Sequence, residues 1–333
     1  MPIVPRPRLR RRARSRLAGV VAPAERTQPH IQTVEHAGLR WIHIEEPATL
    51  ERAWLEEHFE QFHPLDLEDV MSRNQRPKID EYPDYLFIVL HFPIFDKQVG
   101  RLNAGELDLF VGPDYVITIP NQPLQPVSYL FERCRTNEEV REQFFSKGSG
   151  YLLYSIVDQS FDYCFPMLRK IGNKLEQLEE DIFSGRGEEI VRDISNVKQE
   201  IINFRKIIRP QRPVLRDLER TKQRYMREEL EVYFDDIVDA SERIWDMLEN
   251  YKEVVEALDD TNESVISHRV NEILRVLTSF SVIVLPLTFI ASLWGMNVGV
   301  PGEGDKTAFW IIASACVAIL VGMVAYFRRR GWL

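Results

Sequence analysis

The chain of 333 residues has only three cysteines, Cys134, Cys164 and Cys316, far apart and with no Cys-x-x-Cys pair. That pattern excludes a disulfide framework or a thiolate metal cluster, and it assigns the three to buried apolar packing in a reducing compartment. A Gly-x-x-x-x-Gly-Lys-Ser/Thr phosphate loop is missing, as are a nucleophile elbow and a His-Glu-x-x-His pair. Nothing therefore supports ATP drive or an enzymatic centre, and Ser146 to Gly150 is read as a plain loop. The absence that says most is of charge. No charged residue occurs from Val276 to Gly302 or from Ala308 to Phe327, although 28% of the whole chain is charged.

That gap defines a membrane end. Val276–Met296 and Ala308–Phe327 are each about twenty residues, the length a helix needs to cross roughly 30 Å of hydrocarbon. Residues 297–307 form a short outer loop, so the two spans make a transmembrane hairpin. Arg269 and Arg275 precede it and Arg328, Arg329 and Arg330 follow it, which places both termini in the cytoplasm of a plasma (inner) membrane. Trp294, Trp310, Tyr326 and Trp332 stand where interfacial aromatics belong.

The mean hydropathy of −0.25 and net charge of −9 hide a second segregation. Seven of the 42 basic residues are arginines within the first sixteen positions, with no acid among them. The remaining 35 bases face 51 acids, a balance of −16. The tail, residues 1–28, is read as a disordered solubilising extension; Pro2, Pro5 and Pro7 disfavour a targeting helix.

Two spans alone enclose no pathway, so the hairpin is either an anchor or one part of an oligomer. Steps of three and four from Asn271 trace Asp260, Ser264, Ser267, Asn271, Leu274, Thr278, Ser281, Leu285, Thr288 and Ser292. Such a stripe suits helices lining a water-filled axis, with Leu274 and Leu285 as apolar rings that gate by dewetting. The same hydroxyls also suit back-bonding to the i−4 carbonyl, or gluing helices together. Pro286 removes one helix bond beside Leu285.

At the end of the first span stands Gly295-Met296-Asn297, preceded by Leu-Pro-Leu-Thr-Phe-Ile-Ala (285–291) and followed by a second span and a basic terminus. With His63-Pro64-Leu65, Leu67-Glu68-Asp69, Gln75-Arg76-Pro77-Lys78, Tyr85 to Val89 and Tyr151 to Tyr154, this resembles the CorA family of divalent-cation channels. The resemblance covers nearly the whole chain after the tail. It implies a homopentamer around the first span, with Gly295, Met296 and Asn297 as the selectivity motif. Asp260, Asn271, Leu274, Thr278, Ser281, Leu285 and Thr288 then line the pore. It further implies that Asp69 and Asp236 form a carboxylate pair binding regulatory Mg2+ across a subunit interface, with Glu68 and Asp158 at a weaker second site. Without the resemblance, Glu68 and Asp69 read as a helix N-terminal pair favoured by the dipole. Glu303 and Asp305 concentrate cations at the outer mouth. The loop Val298 to Asp305 departs from the family's magnesium members, and its Gly-Val-Pro-Gly run is similar to the ZntB-like zinc branch.

The expected fold is an α+β cytoplasmic domain (an αβα sandwich, 29–125), then helical hairpins (126–232). A stalk helix continuing into the first span (233–296), a second span (308–327) and a basic tail (328–333) complete it. Within the first part, Leu39–Ile44, Tyr85–Phe92, Leu107–Val111 and Tyr115–Ile119 read as strands and Trp54–Phe62 as a helix. Lys174–Phe183 and Ile190–Ile208 carry apolar residues at helical spacing. Glu176, Glu179, Glu180 and Asp181 read as a solvated face, and His63 as a structural histidine. The expected activity is passive Mg2+ uptake with Co2+ and Ni2+ as followers, the partners being membrane lipid and divalent cations. Neither an organic cofactor nor nucleic acid is expected. Zn2+ transport and, from another class, a membrane-anchored regulatory protein are the competing readings.

Overall fold

The computed structural model describes residues 28–45, 47–72, 75–96, 101–184, 187–221, 230–296, 299 and 306–332. The arginine tail, Asn297, Glu303, Asp305 and the Gly185-Arg186 turn lie outside the described residues. The chain divides into two units, Met1–Leu90 with Glu106–Leu153, and His91–Gly105 with Tyr154–Leu333.

A six-stranded sheet organises the first unit. Its strands are β1 (Ile31–His36), β2 (Leu39–Ile44), β3 (Lys78–Glu81), β4 (Leu86–Asp96), β5 (Arg101–Val111) and β6 (Tyr115–Pro120), in the order β1-β2-β6-β5-β4-β3. The β2–β6 pair is parallel, whereas β1–β2, β3–β4 and β5–β6 are antiparallel. Alternation along β2 shows why both faces are covered. Ile42 and Ile44 join Leu55, Phe59, Phe62, Leu67 and Phe110 in one core, under α1 (Thr49–His58) and α2 (Pro64–Met71). Trp41 and His43 point the other way, onto Phe131 of α3 (Gln125–Thr136), with ring centroids 5.1 and 5.0 Å apart. This is the expected αβα arrangement.

Thr118 links two polar groups of that second face. Trp41 Nε1 donates to its hydroxyl at 3.0 Å, and the hydroxyl shares a hydrogen bond with His43 Nδ1 at 2.8 Å. Burial lowers the His43 pKa to about 4, a hydrogen bond with the Thr118 backbone opposing only in part, so the ring is neutral.

The expected helix at Trp54–Phe62 needs correction. Helix α1 ends at His58, and α2 starts at Pro64 with His63 as its N-cap. Pro64 restricts the residue before it to extended backbone, so no helix runs through. Phe59 and Phe62 sit in the intervening turn and stack at 4.8 Å in the core. Upstream, Glu51 accepts from the backbone N–H groups of Ala48 and His30 and so begins the helix earlier than apolar spacing suggests. His63 is structural, as expected: its Nδ1 accepts from Leu65 N and its ring stacks on Tyr82.

Helices α4 (Glu138–Phe145) and α5 (Ser149–Asp162) follow α3, and the second unit is then helical: α6 (Cys164–Ser184), α7 (Gly187–Arg220), α8 (Glu231–Trp294) and α9 (Lys306–Arg329). Helix α7 outlasts its expected end at Ile208 and continues through Pro210 and Pro213. Each proline removes one helix bond, but burial of Val214, Leu215 and Leu218 offsets that loss. Gln211, fully buried, completes the backbone of β4: its Oε1 accepts from His91 N and its Nε2 donates to His91 O. Strand β3 pairs with β4 only as far as Val89, so these groups need another partner. Helices α7 and α8 are also joined by ion pairs, Lys198 to Asp259 at 3.3 Å and both Arg212 and Arg216 to Glu242. Trp245 lies between the Arg205 and Arg212 guanidinium groups, each 5.0 Å from its ring.

Candidate ion pathway and regulatory carboxylates

Helix α8 runs unbroken for 64 residues, with Pro286 inside it. In its last turns Ser279 and Ile283 are buried, and α9 packs along it, burying Phe327. At 100° per residue the stripe through Asp260, Asn271, Thr278, Leu285 and Thr288 falls roughly 130° away from the Ser279–Ile283 face. Every member of that stripe is exposed in the single chain, Leu274 by 51% and Leu285 by 70%. The outward residues around it are Ile273, Leu277, Phe280, Val284 and Phe289, the surface expected of a helix in lipid or against copies of itself.

The hydroxyls of the stripe have a defined state. Ser281 donates to Leu277 O and Thr288 to Val284 O, each at 2.9 Å, and Ser264 to Asp260 O at 3.0 Å. Back-bonding is therefore present, but it does not compete with a water-lined role. A hydroxyl that spends its proton on its own helix presents only acceptor lone pairs outward. The first-shell waters of a hydrated cation present O–H donors, and an acceptor-only surface complements them.

Gly295 closes α8 with φ −86°, ψ 0° and its N–H on Ala291 O at 3.0 Å. It needs no left-handed backbone, so the familiar reason for a C-terminal glycine does not apply. A Cβ would stand 3.1 Å from Ala291 O, so what the position requires is closeness to the last helical turn. Met296 is 54% exposed. Asn297, Glu303 and Asp305 lie outside the described residues.

The four carboxylates assigned to regulation lie on two units. Glu68 and Asp69 occupy the second turn of α2, near its C-terminus, where the dipole disfavours them. The reading as a dipole-stabilised N-terminal pair is thus wrong; Asp66 holds the first-turn place and accepts from Tyr85 Oη at 2.8 Å. Asp69 instead gains Lys78, whose Nζ donates to Oδ2 at 2.8 Å. Glu68 is exposed. In the second unit Asp236 is exposed on α8, and Asp158 of α5 (Ser149–Asp162) is half-buried. Burial, then the charges of Asp162 and Asp236, raise the Asp158 carboxyl to about 6. Such a group binds a cation better than it tolerates being bare, which fits a hard oxygen-liganded ion. No group of three metal-ligating side chains gathers among the described residues.

Sequence reasoning missed Glu106 and Asp108 of β5, which are buried. Their alternation with Leu107 and Leu109 reads as a solvated strand face, whereas α2 covers that face. Burial and neighbouring Glu106 and Asp69 push Asp108 well above the ordinary carboxylate range.

The profile of the CorA-like Mg2+ transporter protein family matches residues 36–329. The cobalt/magnesium transport protein CorA of Thermotoga maritima is 33% identical over 272 residues, covering 81% of this chain and 77% of its own. A putative metal ion transporter of Bacillus subtilis, YfjQ, is 29% identical, covering 91% and 93%. Among solved structures, the complete CorA magnesium transporter from Methanocaldococcus jannaschii matches with a TM-score of 0.78 at 23% identity, over 90% of this chain and 93% of that one.

Proposed function

The chain belongs to the CorA family of Mg2+ transporters, and from that premise we propose that it is a homopentameric channel for hydrated Mg2+, admitting Co2+ and Ni2+, with both termini in the cytoplasm of a plasma membrane. It is a transport protein of its membrane and no enzyme. The observation that carries the reading is the exposed stripe of α8, acceptor-only at Ser281 and Thr288 and placed away from the α9 contact.

Five such stripes facing one axis give a passage in which the ion keeps its first shell. Gly295, Met296 and Asn297 stand at the outer mouth, with Glu303 and Asp305 beyond them; an amide ring there meets the shell without stripping it. Asn271 forms a second ring and Asp260 gathers cations below it. Leu274 and Leu285 are the constrictions at which the pore dries and closes. An inside-negative potential draws the ion at about 2.3 kcal/mol per charge per 100 mV, so about 4.6 for a dication. Asp69 of one subunit and Asp236 of the next, with Glu68 and Asp158 nearby, bind internal Mg2+. Bound ion relieves carboxylate repulsion, holds subunits together and keeps the pore closed.

The test is Mg2+ uptake into proteoliposomes under an inside-negative potential, with Co2+, Ni2+ and Zn2+ as competitors. The expected result is uptake by the wild type, loss with Asn297→Ala and a sharp reduction with Thr288→Leu. Absence of divalent uptake by the wild type overturns the channel reading. Uptake of Zn2+ in preference to Mg2+ transfers the assignment to the zinc branch. A mere tether is not favoured, since the relatives named above are themselves transporters by name.

A further inference from the structure

Helix α2 and strand β3 set beside Asp69 a lysine that the channel reading leaves unused. The β3–β4 register sets Lys78 opposite Val89 and Asp80 opposite Phe87, so these side chains share the sheet face that α2 covers. Lys78 Nζ donates to Asp69 Oδ2 at 2.8 Å and to Asp80 Oδ2 at 2.5 Å, and stands 5.0 Å from the centre of the Phe87 ring. On the same face Glu106 and Asp108 are 2% exposed. Glu106 Oε2 accepts from Gln75 N, while Asp108 Oδ1 has no hydrogen-bond partner among the described residues. Two carboxylates, Asp69 and Asp80, thus hold one ammonium, and Glu106 and Asp108 lie on the same face.

We propose that Lys78 is a tethered counter-ion that competes with the divalent cation for Asp69, and so sets the internal concentration at which the regulatory site fills. The proposal rests on the reading of Asp69 as a regulatory ligand. Lysine is suited to the part, since an ammonium offers three donors and no acceptor and cannot itself coordinate a metal.

Asp80 gives the ammonium somewhere to remain. A divalent ion arriving at Asp69 displaces one of two bonds and leaves Lys78 neutralising Asp80. The exchange therefore costs little, yet it must be made each time the site fills. The pair is partly solvated, with side chains 32% and 24% exposed, so the competition is modest in size. An interaction of that class shifts half-saturation by about threefold.

The experiment uses the purified full-length protein and titrates Mg2+ against melting temperature and against protease resistance, neither of which requires flux. Four proteins are compared: wild type, Lys78→Met, Lys78→Arg and Asp69→Asn. Methionine keeps the apolar stem against Phe87 and removes the charge; half-saturating Mg2+ is expected to fall about threefold. Arginine holds both carboxylates with a bidentate fork, and half-saturation is expected to rise. Asp69→Asn is expected to weaken the response several-fold or more. If Asp69→Asn leaves the titration unchanged, the regulatory reading of Asp69 fails and the inference with it. If Asp69→Asn weakens the response but Lys78→Met leaves half-saturation unchanged or higher, the reading survives and the role of Lys78 is overturned. Should Lys78→Met not fold, Lys78→Arg decides alone: a rise supports the competition and no change overturns it.

Discussion

The two halves of α8 are one helix in two solvents. From Phe234 to Asn262 its buried side chains recur at helical spacing (Ile237, Ser241, Ile244, Leu248, Val255, Leu258), and its outward residues are mostly charged. Beyond Arg275 only Ser279 and Ile283 are buried, while Leu277, Phe280, Val284, Leu285 and Phe289 stand exposed. The first half obeys the rule of a water-soluble helix and the second inverts it. Burial in a single chain is therefore informative only once the surrounding solvent is named: the same exposed valine is neutral in one half and a lipid contact in the other.

Leu248 gives the largest expected effect. It is fully buried, and Leu248→Ala should cost about 2–5 kcal/mol through lost transfer and a cavity. Leu277→Ala, at a site 60% exposed, should stay within about 0.5 kcal/mol by melting in detergent. Equal losses at both sites would erase the contrast. Next comes a matched pair of valines. Val254 and Val284 are 36% and 42% exposed, yet Val284→Asp places a carboxylate near mid-membrane at a cost of about 2.5–3.5 kcal/mol. Membrane insertion assayed by protease protection should fail for Val284→Asp and be unaffected for Val254→Asp.

The two halves of α8 also differ in what pH can change. Asp158 titrates near 6, above the ordinary carboxylate range, so below that pH a cation must displace its proton. Mg2+-dependent stabilisation should weaken roughly fourfold between pH 7.5 and 5.5 by one-site titration. Flux measured without internal Mg2+ should change less, because the span at 276–302 contains no ionisable side chain and Asp260, Glu303 and Asp305 lie outside it. The smallest effect belongs to the hydroxyls. Ser279, buried beside α9 and back-bonded to Arg275 O, should cost about 0.6 kcal/mol as alanine. Ser281→Ala, exposed on the stripe, should leave stability unchanged and slow uptake instead.

Much of this was legible beforehand, and for physical reasons. Residues 39–44 alternate and contain Trp41, Ile42 and Ile44, and they form β2 with those bounds. The spans were readable because the absence of charge over twenty residues is a one-dimensional signal. The start of α1 and the run of α7 past Pro210 were not, because Glu51 and Gln211 act on backbone groups at His30 and His91, distant in sequence. Glu68 and Asp69 illustrate the same limit. Their residue types suggested a helix start, and only the position of Pro64 and Ser72 in the fold assigns them to its end.

The membrane hairpin, the polar stripe along the first span and the glycine-methionine-asparagine that closes it are all written in the order of residues. Periodicity and the free energy of placing charge in hydrocarbon act residue by residue along one helix, so they need no tertiary information. Tertiary structure alone decided which carboxylates lie bare and which are answered. Lys78 and Asp69 are nine residues apart on a strand and a helix, Glu106 and Asp108 lie on another strand, and only the packing of α2 across the sheet brings them to one face. Charge interactions depend on distance and burial together, and neither quantity exists until the chain has folded.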